Sequence, residues 1–134
     1  MKKLYLDIDG VLVTAKNSRA ADGVIPFLQF ITSNFECYWL TTHCKGDSKP
    51  VINYVRGFVP DSEHFLPKIN PTNWNALKTE AIELDSEFFW LDDYPMMAER
   101  QVLKRHGKES SLIVVDLNRS NELRCIMDYL SCEL

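Results

Sequence analysis

The chain predicts an α/β fold, a Rossmann-like three-layer sandwich on a mainly parallel five-stranded sheet. Short apolar, aromatic-rich runs alternate with amphipathic segments of helical period, the pattern of strand–helix–strand units. At 134 residues the chain is long enough for one full hydrophobic core and too short for a second, so residues 1–134 form one domain. Its polar punctuation is concentrated: Asp7 and Asp9, Thr41 and Thr42, and Asp92 and Asp93 each follow an apolar run directly.

Residues 3–8 are the first strand, and a polar stretch, 14–22, follows it. Pro26 opens a helix in which Phe27, Phe30 and Ile31 recur at helical spacing, ending near Asn34. The run 36–40 is the second strand and leads into Thr41-Thr42-His43. Ser48 is placed to cap a helix with Val51, Tyr54, Val55 and Phe58 on one face and Gly57 near its end. A short strand over 64–69 is weakened by Pro67, and a helix is expected within 72–84. Residues 87–91 form a strand that ends in Asp92-Asp93. After it come a helix over 95–105 closed by His106 and Gly107, a strand over 111–115, and a helix over 120–130. That last helix starts at a serine cap and aligns Leu123, Ile126, Met127 and Leu130 on one face.

Composition narrows the function classes. With 46% apolar residues and no low-complexity segment the chain has the makeup of a folded globular protein. No apolar run approaches the roughly 20 residues needed to cross a bilayer, and Asp7 interrupts the amino end before a signal-type core can form, so a cytoplasmic location with no membrane partner is expected. A net charge of -4 argues against an extensive nucleic-acid surface. Cys37, Cys44, Cys125 and Cys132 lack paired spacing and read as free, structural thiols; His43 beside Cys44 has no second pair to complete a zinc site.

In parallel α/β sheets ligands bind beyond the carboxyl ends of the strands, and three strands here carry polar residues to that edge. Asp7 and Asp9 would share one face if the first strand continued, and a bend at Gly10 frees the second acid. Crowded carboxylates repel unless a cation lies between them or one keeps its proton. Four carboxylates from two strands suit Mg²⁺, a hard cation that prefers oxygen, better than Zn²⁺. A metal so held, beside a free carboxylate and a hydroxyl, is a constellation for handling phosphoryl groups. Each part has a plainer reading: a strand-end turn for Asp7 and Asp9, a helix cap for Asp92 and Asp93, a solvated helix lysine for Lys78.

The succession Asp7-Ile8-Asp9-Gly10-Val11-Leu12, a strand ending in Thr41, a lysine, and a strand ending in Asp92-Asp93 resembles the haloacid dehalogenase-like superfamily of phosphohydrolases over nearly the whole chain. The resemblance implies that Asp7 is the nucleophile, forming an aspartyl-phosphate, and that its other oxygen ligates Mg²⁺. It implies that Asp9 protonates the leaving alcohol, then activates water, with its main-chain carbonyl on the metal. Asp92 would be the direct metal ligand of the acidic pair, with Asp93 acting through a bound water. Thr41, or Thr42 if the strand runs one residue longer, would hold the phosphoryl group together with a lysine. Lys78 is the first choice for that lysine and Lys68 the alternative.

The gaps 10–40 and 42–77 leave no room for a cap domain, so the chain resembles the small capless members. Such a site can take a phosphorylated small molecule or a phosphate displayed on a macromolecule, or be closed by a neighbouring subunit in an oligomer. Residues 14–19 and 42–47 would then supply substrate contacts. A non-catalytic phosphate-binding or interaction module, and a phosphotransferase, are the alternative functions.

Overall fold

The computed structural model describes residues 1–134. Four strands, β1 (Lys3–Leu6), β2 (Glu36–Trp39), β3 (Phe88–Asp92) and β4 (Leu112–Val114), form one sheet in the order β2-β1-β3-β4. Every pairing is parallel, with Leu6 opposite Trp39 on one side and Leu91 on the other. Helices α1 (Val24–Asn34), α2 (Lys49–Phe58), α3 (Met97–Arg105) and α4 (Glu122–Ser131) complete the α/β architecture, which is compatible with a Rossmann-like arrangement.

Strand alternation divides the core between two faces. Leu4, Leu6, Cys37, Trp39, Phe89 and Leu91 pack with Phe27, Leu28 and Ile31 of α1, Val51 and Val55 of α2, and Leu123, Ile126 and Leu130 of α4. Tyr5, Phe88 and Trp90 point the other way and meet Ile82 and Leu103 of α3. β3 is buried along its whole length, as expected of a central strand covered on both faces. No helix is long and apolar enough to cross a membrane.

The sheet has four strands rather than the expected five. Residues 64–69 contribute a 3-10 turn, Leu66–Lys68, and only Asn70 pairs with β2, through a single parallel bridge to Tyr38. The Asn70 N–H and carbonyl face Cys37 and Trp39, but the Trp39 carbonyl, which the next ladder bond would use, accepts the Thr72 hydroxyl, and Pro67 favours the 3-10 turn on the other side. The helix expected within 72–84 is likewise reduced to the 3-10 turn Lys78–Ala81. The Glu80 carboxylate accepts the N–H groups of Asn75, Ala76 and Leu77 at 3.0, 3.1 and 2.9 Å, so a side chain captures the donors that a helix would use.

Two caps also differ from expectation. Ser48 precedes α2 but its buried hydroxyl makes no hydrogen bond, and Asp47 Oδ1 accepts the Lys49 N–H instead, at 3.0 Å. The residue ahead of α4 is Asn121, one beyond Ser120. All four cysteines are free; Cys37 and Cys44 are buried, whereas Cys125 and Cys132 are exposed and take no part in the core.

Candidate active site

β1 has β2 on one side and β3 on the other, so the chain order reverses beside it and opens a crevice past the carboxyl ends of β1 and β3. Asp7 follows β1 and Asp92 closes β3. Oxygen atoms of Asp7, Asp92 and Asp93 lie within 4.8 Å of one another. Asp7 Oδ1 accepts the Ile8 N–H at 2.8 Å, and its Oδ2 accepts from the Lys78 ammonium at 3.1 Å. Lys78 Nζ also reaches Asp92 Oδ2, at 2.6 Å, while Asp92 Oδ1 accepts the Tyr94 N–H at 3.0 Å.

The ammonium of Lys78 is therefore shared by acids from two strands. Its backbone is fixed as well: Glu99, buried at the start of α3, accepts the Lys78 N–H at 2.7 Å and the Met96 N–H at 2.8 Å. Lys68 makes no bond to these acids and lies over the Phe65 ring, 5.9 Å from its centre.

Burial and charge set the state of the cluster. Three carboxylates face one ammonium, so full ionisation leaves two negative charges unbalanced, the charge of one divalent cation. Desolvation first, and then repulsion from Asp92, raise the Asp7 pKa from 3.8 to about 6 against the opposing pull of Lys78. Asp93 is shifted upward by burial and by Asp92. Burial alone would lower the Lys78 pKa, but Asp7 and Asp92 together hold it above its ordinary value. An all-oxygen donor set with this charge fits Mg²⁺ and does not fit a metal that requires nitrogen or sulfur.

Gly10 makes the approach of Asp93 possible. Its φ is 83°, and a Cβ built there would stand 2.6 Å from Asp93 Cβ and nearer still to the carboxylate. The glycine thus turns the chain and also vacates the volume that Asp93 occupies.

Asp9 stands apart from the three acids. Its Oδ1 accepts the Tyr54 hydroxyl at 2.7 Å and its Oδ2 bonds to His43 Nε2 at 2.8 Å, with its side chain 42% exposed. The His43 and Tyr54 rings stack, with centres 3.9 Å apart. The side chain of Asp9 is therefore not in the metal-type cluster, and its expected share in metal binding is confined to the main-chain carbonyl.

Thr41 is fully buried, and its Oγ1 accepts the His43 N–H at 3.3 Å. Thr42 is exposed, and its backbone N–H, like that of Asp9, donates to no protein group. A groove of about 500 Å³ lies against Gly10 and Asp93 and is lined by Lys16, Asn17, Asn118 and Arg119, among others. The opposite loop is tied back: Lys45 donates to the Trp74 carbonyl at 3.1 Å and lies over its ring.

Tyr54 was legible only as part of the apolar face of α2, since a tyrosine at that spacing reads as core until its hydroxyl partner is known. His43 follows Thr41-Thr42 directly, and that proximity to the strand end was its only signal. No family model matches the chain, and a search of curated proteins found no match either.

Proposed function

We propose that the chain is a cytosolic, Mg²⁺-dependent phosphohydrolase that works through an aspartyl-phosphate, of the capless haloacid dehalogenase-like type that its motifs resemble. The observation that carries this reading is the meeting of Asp7, Asp92 and Asp93 within 4.8 Å around the Lys78 ammonium, at the end of β1 and β3. Asp7, Asp92 and Asp93, with the Asp9 carbonyl, would hold Mg²⁺, which neutralises charge on the phosphoryl group.

Asp7 is held by Ile8 and Lys78 with little freedom to turn, as an attacking group must be. Its carboxylate attacks phosphorus, the bond from phosphorus to the ester oxygen breaks, and that oxygen takes the proton of Asp9. Asp9, now ionised, removes a proton from water as the water oxygen attacks phosphorus and the Asp7–phosphorus bond breaks, releasing inorganic phosphate. Lys78 binds phosphoryl oxygens. Because Thr41 is shielded, the threonine contact with the phosphoryl group falls to Thr42, whose N–H is unpartnered. The exposed site and its groove accommodate a phosphate ester on a small molecule or a macromolecule.

The test is phosphate release from a panel of aryl and alkyl esters with and without Mg²⁺, alongside Asp7→Asn. The expected result is Mg²⁺-dependent release that the variant loses entirely. Phosphate binding without release would make the chain a binding module, and phosphorylated alcohols as products would make it a transferase; retained turnover in Asp7→Asn would refute the nucleophile.

A further inference from the structure

We propose that His43 and Tyr54 form a two-donor clamp that positions Asp9 for proton transfer, an assignment that rests on the phosphohydrolase reading above. A carboxylate on a chain leaving its strand turns freely about two side-chain bonds. Here each oxygen has its own partner from a different part of the fold: Tyr54 of α2 on Oδ1 and His43 of the loop after β2 on Oδ2, at 2.7 and 2.8 Å. Two donors on two oxygens fix both rotations. A carboxylate oxygen offers two lone pairs, so each keeps one free to carry a proton toward the reacting ester or water.

The donors are themselves held. The two rings stack at 3.9 Å and 21°, the Tyr54 ring packs on Phe58 at 5.1 Å, and Val51 and Val55 on the same helix are fully buried. The hydrogen bond to Asp9, followed by burial, raises the Tyr54 pKa to about 12, so the phenol remains a donor through the neutral range. With an ionised Asp9, His43 must carry its hydrogen on Nε2. A pair this exposed, 29% for His43 and 42% for Asp9, contributes little to stability. What the clamp does accomplish is directional: it keeps a fourth carboxylate out of the Asp7, Asp92 and Asp93 cluster while leaving Asp9 open to substrate.

Tyr54→Phe removes the hydroxyl and keeps the stacked ring; His43→Ala removes a donor, and His43→Gln restores one near the Nε2 position. Each variant is assayed with Mg²⁺ on an alkyl phosphate, whose leaving oxygen needs a proton, and on p-nitrophenyl phosphate, whose leaving group departs without one. Since kcat/KM reports only the steps through phosphoryl transfer to Asp7, the ratio of alkyl to nitrophenyl kcat/KM isolates the delivery of that proton. The ratio is expected to fall about tenfold in Tyr54→Phe and His43→Ala, and by less in His43→Gln, part of the roughly 10²–10⁴-fold that a positioned acid supplies. Slower hydrolysis of the aspartyl-phosphate should also produce a burst of nitrophenol equal to the enzyme present. An unchanged ratio in Tyr54→Phe and His43→Ala, whether kcat/KM falls equally on both esters or stays at the wild-type value, overturns the clamp while leaving the phosphohydrolase reading intact. A wild-type chain inactive on both esters overturns the two together.

Discussion

Asp7→Asn separates the cost of the candidate nucleophile from its use, because the cost is measurable without substrate. In the metal-free protein the Asp7 carboxyl is pushed from 3.8 to about 6 by burial and by Asp92. The native carboxyl therefore keeps its proton to a higher pH than the unfolded one, and stability falls as pH rises through that window. The full penalty, reached above pH 6, is about 3 kcal/mol, and at pH 4.5 it is about 1 kcal/mol. Asparagine retains the shape without the charge, so its advantage should grow by about 2 kcal/mol between pH 4.5 and pH 8. For a chain of this length that is a relative gain in Tm of about 7 °C. Circular-dichroism melts of both proteins in a chelator at the two pH values measure it. Adding Mg²⁺ at about a hundred times its Kd should then raise the wild type by about 2.7 kcal/mol and the variant by less. A pH-independent difference between the two melts, or equal Mg²⁺ shifts, would refute the crowding of Asp7.

Lys78→Met removes the ammonium between Asp7 and Asp92; breaking such a buried pair costs about 3–5 kcal/mol, and Mg²⁺ should restore more of the Tm than it adds to the wild type, because it replaces a missing cation. Equal Mg²⁺ shifts would show that Lys78 does not share the cluster. Gly10→Ala should cost about 2–4 kcal/mol from its φ of 83° and the displaced Asp93, and should weaken Mg²⁺ binding by calorimetry. Native melting and binding in that variant would mean that Asp93 need not stand where it does. Glu80, whose pKa is lowered chiefly by the Leu77 N–H and then by Asn75, tethers the approach to Lys78; the tether holds at neutral pH and is lost as pH falls through the acidic range. Glu80→Ala should speed limited proteolysis near residues 73–78 and raise KM, and an unchanged digestion pattern would assign that loop's order to other contacts.

The framework was legible because its signals are local. Three apolar runs end in polar residues at the same edge, and the helices show their faces through spacing, as Leu123, Ile126 and Leu130 do in α4. What failed depended on competition between backbone and side chain. Residues 64–69 have the apolar content of a strand, but Leu66–Lys68 curl into a 3-10 turn and the Thr72 hydroxyl takes the Trp39 carbonyl that a longer ladder would use. A helix is expected within 72–84, but three of the early N–H groups already belong to Glu80. Periodicity reports which face is buried and says nothing of which acceptor a donor finds.

The same distinction explains the site. Two acids one residue apart imply a crowd, and the structure divides that crowd in two. Asp7 joins Asp92 and Asp93, acids far away in sequence that meet it because β1 and β3 pair directly, and Lys78 balances one charge of the three. Asp9 is drawn off by Tyr54 and His43, whose hydroxyl and ring nitrogen carry no sequence mark of that duty. Without this withdrawal a fourth carboxylate would add its charge to a cluster that already carries two unbalanced ones. On the proposed mechanism, that separation leaves Asp7 beside its lysine as the attacking group and Asp9 open to substrate as the acid and base. On that reading Tyr54 and His43 hold the proton-transfer group in place, and losing either should slow the reaction without abolishing it as Asp7→Asn does.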